Sequence, residues 1–182
     1  MKGNIVEETG AARMHVLRAC VEAGVSRPCV MMVTSALDSD GAGLAAYRLA
    51  QCLATAGHRT KSVTLEAAGA SGAETLRTFV QDLRSRFDFA VIDAASALHS
   101  GNAILLASHV DAVLLSVRLG RVPVREDEIM MRALRGVRAN VIGSVAAAAE
   151  AIAEFEHRVG VTREPLEEAH AGRALAFSYK RG

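Results

Sequence analysis

Five short apolar runs recur along the chain, and stretches with helical spacing separate them. Residues 29–34 form a continuous apolar strand, without the alternation of a half-exposed one. That pattern predicts a central parallel strand covered on both faces. Further strands are expected over Thr60–Leu65, Phe89–Asp93, Ala112–Val117 and Ala139–Val145. Between them, 43–56 reads as a helix ending at Gly57. Residues 74–86 carry Leu76, Phe79, Val80 and Leu83 on one face. Ser100–Ala107 is a short helix, and Glu126–Val137 turns Ile129, Met130, Ala133 and Leu134 inward. Ala67–Ala73 is a loop of small residues. Upstream, 11–24 has Met14, Leu17 and Val21 on one side and stops at Gly24. Downstream, Ala146–Val159 is expected to be helical, with one more helix before Tyr179.

Strands alternating with helices make βαβ units with right-handed crossovers. The expected fold is therefore α/β, a three-layer α/β/α arrangement around a mainly parallel sheet. No internal repeat and no linker divides the chain. Residues 1–182 read as a single domain with an N-terminal helix (11–24) and a C-terminal helical tail (146–182). Sheets of this kind bind ligands at the carboxyl ends of their strands. The turn 38–43 and Asp93 both fall there.

Composition narrows the function classes. The chain is 51% hydrophobic and 23% charged, which excludes disorder. A net charge of +1 makes no electrostatic case for nucleic acid. Cys20, Cys29 and Cys52 have no metal-like spacing, and an odd count without a signal sequence suggests reduced thiols in the cytoplasm. No apolar run reaches the ~20 residues of a membrane span. The expected location is cytoplasmic, peripheral at the inner membrane only through a partner. His15, His58, His99, His109, His157 and His170 show no ligand pattern, and no Ser–His–Asp or Cys–His site can be assembled.

The first strand feeds a glycine-containing turn and then a helix, the setting of a phosphate-binding loop. The sequence there is CVMMVTSALDSDGAGLAAYRLAQCLA. Ala42 stands at the lysine position and Gly43 at the Mg²⁺-binding hydroxyl position, and Asp38 and Asp40 add negative charge. Such loops combine backbone N–H groups, a lysine and a metal-holding hydroxyl. Gly41 and Gly43 preserve the first device, while the other two are absent. A charge-assisted contact is worth roughly 1.5–3 kcal/mol, so losing the lysine alone costs on the order of 10- to 100-fold in affinity. Asp93 reads two ways, as a strand-end acid capping its own turn or as a residual metal ligand. Asp38 and Asp40 read as turn formers.

Two blocks resemble the bacterial tyrosine kinases, the cytoplasmic modules of exopolysaccharide and capsule co-polymerases within the Min/Par-type deviant-Walker ATPases. The first, TSALDSDGAGLAAYRLAQCLATAGHRTKSVTLE, resembles the family's T-S-A-x-P-G-E-G-K-S-T loop and its flanks. The second, FDFAVIDAASALHSGNAILLASHVDAVLLSVRLGRVPVREDEIMMRALRGVRANVIGSV, resembles Y-D-x-V-I-I-D-T-P-P followed by D-G-V-L-L-V-V and A-N-V-x-G-V-V-x-N. The resemblance covers residues 10–146. It implies a shortened P-loop NTPase-like fold of the Min/Par type. Against its pattern, Asp38, Ser39, Asp40, Gly41, Ala42, Gly43 and Leu44 form a degenerate nucleotide loop. Thr64 stands where the second strand carries an aspartate, and Asp93 matches the Walker-B acid. Thr-Pro-Pro after that acid becomes Ala94, Ala95, Ser96, and the base-placing asparagine, which would fall near Ala146, is missing. Only 26 residues lie between Glu66 and Asp93, where the family has a longer segment.

The resemblance also implies partners. In the family's subunit-contact segment E-A-x-R-x-x-R, Arg18 fits and Arg13 serves from a shifted register, while Ala12 and His15 depart. The tyrosine cluster of the family tail is reduced to Tyr179, a candidate phosphorylation acceptor. The expectation is a pseudo-enzyme without cofactor, acting on a membrane co-polymerase or a kinase paralogue, with a homodimer open. The alternatives are a weak ATP- and Mg²⁺-binding ATPase or tyrosine kinase, and a Min/Par-type positioning adaptor.

Overall fold

The computed structural model describes residues 15, 17–19, 21–120 and 125–159. Five parallel strands form one sheet: β1 (Cys29–Ser35), β2 (Thr60–Thr64), β3 (Phe89–Ser96), β4 (Ala112–Arg118) and β5 (Val141–Ala147). Their spatial order is β2-β3-β1-β4-β5. The helices are α1 (Ala42–Thr55), the one-turn α2 (Leu65–Ala68), α3 (Ala73–Arg86), α4 (Gly101–Ala107), α5 (Arg125–Gly136) and α6 (Ala149–Val159). A 3₁₀ turn, Asp38–Asp40, joins β1 to α1.

β1 is buried at every position, as its continuous apolar run requires. Its side chains alternate between two cores. Val30 and Met32 join Ile92, Val113, Leu76, Val80, Leu106, Met130 and Leu134 on one face. Met31 and Val33 join Phe89, Val91, Leu114 and the Leu49 and Leu53 of α1 on the other. The three-layer α/β/α architecture follows from these two apolar faces.

Several boundaries differ from the sequence reading. β3 runs on to Ser96 because the chain continues to pair with β1 after a register shift between Val33 and Ser35. β5 extends through Ala147, so Ala146 and Ala147 pair with Val117 and Arg118 instead of opening a helix. The ladder to β4 overrides the helix propensity of alanine. β2 ends at Thr64, one residue before the expected end, and Thr64 caps α2, which runs into the expected loop: its Oγ1 accepts from the Ala67 N–H at 3.1 Å. On α5, Met130 and Leu134 are buried, but Ile129 is exposed. The 26 residues between Glu66 and Asp93 hold the rest of α2, then α3 and the start of β3, with no extra strand. Residues 15, 17–19 and 21–24 are helical up to Gly24. Arg13, Cys20, Tyr179 and the tail beyond Val159 lie outside the described residues. Among the described residues no helix is long and apolar enough to cross a membrane.

Candidate functional site

The carboxyl ends of β1 and β3 meet, as the sheet order requires for two central neighbours. Hydrogen bonds lock the two exits together. Thr34 Oγ1 donates to the Ala95 carbonyl at 2.8 Å, Ser96 Oγ donates to the Ala36 carbonyl at 2.8 Å, and the Ala97 N–H donates to the Ser35 carbonyl at 3.0 Å. Ser116 Oγ on β4 donates to the Asp40 carbonyl at 2.7 Å and holds the 3₁₀ turn from the other side. These side chains were not singled out by sequence reasoning. Strand-end hydroxyls carry no signal until their neighbours across the sheet are known.

Gly41 ends the 3₁₀ turn in the left-handed region (φ 76°) and serves as the N-cap of α1. That conformation suits glycine, which lacks the Cβ that makes it costly. No side chain caps α1. Ala42 begins the helix and is buried. Asp40 is fully buried, and its Oδ2 accepts from the Leu37 N–H at 3.3 Å, which makes it a turn former. Asp38 pairs with His99, with 2.9 Å between Oδ2 and Nδ1.

Asp93 caps its own turn, one of the two readings of its position. Its Oδ1 accepts from the Ala95 N–H at 3.0 Å, capping the turn. Its Oδ2 lies 3.0 Å from where a β-carbon on Gly43 would stand. The acid of the second motif therefore faces the hydroxyl position of the first. The turn after Asp93 is rebuilt: Ala95 takes φ 48°, a left-handed value. Proline fixes φ near −65°, so the proline that the kinase pattern carries here does not fit this turn.

One crevice gathers these groups. It is lined by Asp38, Gly41, Ala42, Gly43, Leu44, Asp93 and Ala95, and by Ile152, Phe155 and Glu156 of α6, and its volume is about 80 Å³. The expected loop residues thus divide. Ser39 and Asp40 are not part of the crevice lining, Thr64 is occupied in capping α2, and the others line it. The α6 side chains were missed, because a helix expected from residue 146 onward gave no hint of which element it covers. Arg18 is near Glu22, at 3.8 Å from its Nε, and Glu22 also contacts His58 Nε2 at 2.7 Å.

The residues do not fit a magnesium nucleotide. Nucleotide-sized ligands occupy pockets of roughly 300–1,000 Å³. Among the described residues the crevice has no Lys or Arg in its lining, and Asp38, Asp93 and Glu156 line it. Among the described residues no cluster of three His, Cys, Asp or Glu is arranged to hold a metal ion.

The fold has relatives among solved structures. The kinase domain of the Escherichia coli tyrosine kinase ETK superposes with a TM-score of 0.65 at 14% identity, over 76% of this chain and 75% of that one. The VpsO kinase domain matches with a TM-score of 0.61 at 17% identity, over 80% of this chain and 99% of that one. The BceF tyrosine kinase domain matches with a TM-score of 0.58 at 16% identity, over 76% and 77%. No protein-family model matches the sequence, and no curated protein matches it. At these identities the likeness is one of fold: a parallel α/β domain built like bacterial tyrosine kinase domains.

Proposed function

We propose that this chain is a catalytically degenerate tyrosine-kinase-like protein. It acts through protein contacts, as scaffold or regulatory partner in exopolysaccharide or capsule synthesis or export. One observation carries the reading: the crevice at the end of β1 has Ala42 where the loop needs a cation and three carboxylates around it. Phosphoryl transfer works by positioning and by neutralising phosphate charge. A triphosphate brought here meets the Asp38, Asp93 and Glu156 carboxylates, and none of the described residues lining the crevice is a lysine or arginine. No cofactor is assigned, and the Min/Par-type placement enters only through the loop pattern.

The pathway and the partner, a membrane co-polymerase or a kinase paralogue, come from the likeness to tyrosine kinase domains, and fold likeness alone is weak warrant for function. One observation favours the runner-up, a weak ATP-binding ATPase or kinase: Gly41 keeps the loop's left-handed turn, and Asp93 still faces position 43. Titration calorimetry of the unsubstituted chain with Mg-ATP decides between them. The expected result is no saturable binding, and a Kd below about 100 μM removes the pseudo-enzyme. Affinity capture from the native host is expected to recover a co-polymerase or kinase. Recovery of a chromosome- or division-site protein would instead favour a positioning adaptor.

A further inference from the structure

We infer that the degenerate phosphate site is a docking groove for an apolar helix face, and that α6 of the same chain is its resident occupant. Nucleotide is then excluded by a barrier separate from the missing lysine.

The contacts are close. A β-carbon built on Gly41 would stand 2.7 Å from Ile152 Cγ1 and 2.8 Å from Cδ1, and 3.5 Å from the Ala147 Cβ. Real β-carbons do not approach so near, so Ile152 occupies the space directly over the glycine at the start of α1. That space is the one a phosphate takes in a working loop, beside the first N–H groups of the helix. Ile152 is only 5% exposed, so the seat is dry.

Phe155 lies three residues further along α6 and therefore on the same face. Its Cε1 is 3.6 Å from the place a β-carbon on Gly43 would take. Its ring also packs on Tyr47 of α1, with centroids 5.4 Å apart and planes at 39°. The i, i+3 pair thus covers both glycines of the loop. What remains is the hollow of about 80 Å³.

The helix reaches this seat by a short route. β5 ends at Ala147, and α6 starts at Ala149. The Ile152 N–H donates to the Ala148 carbonyl at 3.1 Å, so the first turn of α6 already delivers the isoleucine. The element that follows the last strand is thereby folded back across the carboxyl ends of β1 and β3. A side chain on Gly41 would push on α6, one on Gly43 would meet Phe155 at contact distance, and a bound phosphate would have to displace the helix. The inference concerns occupancy of the groove and stands whatever the protein's partners are.

The test uses the full chain in four main forms and one milder variant, with Mg-ATP as the probe. A42K/G43S restores the lysine and the hydroxyl with α6 in place. A42K/G43S/I152A/F155A restores them and removes the occupying side chains; alanine at 152 lacks both atoms that crowd Gly41. The other two forms are the unsubstituted chain and I152A/F155A, and cooperative thermal unfolding serves as the folding control, with F155A alone held as the milder variant. The expected result is at least tenfold tighter Mg-ATP binding for the fourfold variant than for A42K/G43S. Equal affinity in those two variants overturns the inference and leaves the non-catalytic reading of the natural chain intact. Should neither variant bind, hydrogen exchange at residues 41–44 decides: I152A/F155A, or F155A in its place, is expected to exchange those amides at least tenfold faster than the unsubstituted chain. Unchanged protection overturns the inference.

Discussion

The two ends of the central strands use the same ingredients to opposite effect. At the carboxyl ends, Asp93, the loop after β1 and α6 surround a hollow of about 80 Å³. At the amino ends, a cleft of about 560 Å³ is lined by Arg27, Pro28, Arg59, Arg84, Ser85, Phe87 and Asp88. Among the described residues, arginines line the larger hollow and none lines the smaller one. Two of those cations are already engaged. Arg59 Nη2 donates to Asp88 Oδ1 at 2.9 Å, and Arg84 Nη2 donates to Asp111 Oδ1 at 2.9 Å. The acids in turn stitch the strand starts together. Asp88 Oδ2 accepts from the Arg59 N–H at 2.9 Å, and Asp111 Oδ2 accepts from the Val30 N–H at 2.7 Å. An acid at the start of a strand here is a structural clamp, whereas Asp93 at the end of one lines a crevice.

The largest effect that sharpens this contrast is expected at Ala95. A95P asks for φ near −65° where the chain holds 48°, and should destabilise the fold by about 3 kcal/mol or more. A95G relieves the left-handed penalty and should stabilise by about 1 kcal/mol. Thermal or urea unfolding measures both. If A95P unfolds like the unsubstituted protein, the rebuilt turn described here is wrong.

At the other end, R84A leaves the Asp111 carboxylate with its main-chain donor but without its cation. The pair is only partly exposed, so a loss of about 1–2 kcal/mol is expected. R59A breaks an ion pair whose arginine is largely exposed and should cost less, because solvent screens it. Urea midpoints for the two variants rank them, and the reverse order would mean that Asp111 is not the tighter clamp.

The smallest effects are expected from pH. Burial pushes the Cys29 thiol up to about 12 from 9.0, and the nearby Asp111 charge adds to the shift. A folded-state value above the unfolded one gives stability that is whole below pH 9 and declines as pH rises towards 12. The chain should therefore lose stability above pH 9, and C29A should lose less of it. Asp88 moves the other way, held below its usual value by the Arg59 side chain and then by the Arg59 N–H. Its contribution is present above the unfolded value of 3.8 and fades as pH falls below that. Unfolding midpoints across the acid range should show D88N to be less acid-sensitive than the unsubstituted chain, and an identical acid profile would show that the Asp88 clamp is not felt.

Much of this molecule was legible before any coordinates. The run 29–34 had to be buried on both faces, since no polar side alternates along it. The helix 74–86 had to bury Leu76, Val80 and Leu83 for the same kind of reason, period matching geometry. These are local statements, and neighbours in sequence decide them. The lack of a cation at position 42 is equally local, because a missing charge needs no fold to be missing. What only the tertiary structure decided is who sits opposite whom. Ile152 lies 111 positions after Gly41, and no periodicity links them. Asp88, Asp93 and Asp111 are alike as letters, yet strand direction and pairing order make two of them clamps and the third the wall of a crevice. Contacts at such separations depend on how the strands are ordered and where each connection crosses, and a hydrophobic pattern of period two or 3.6 encodes neither.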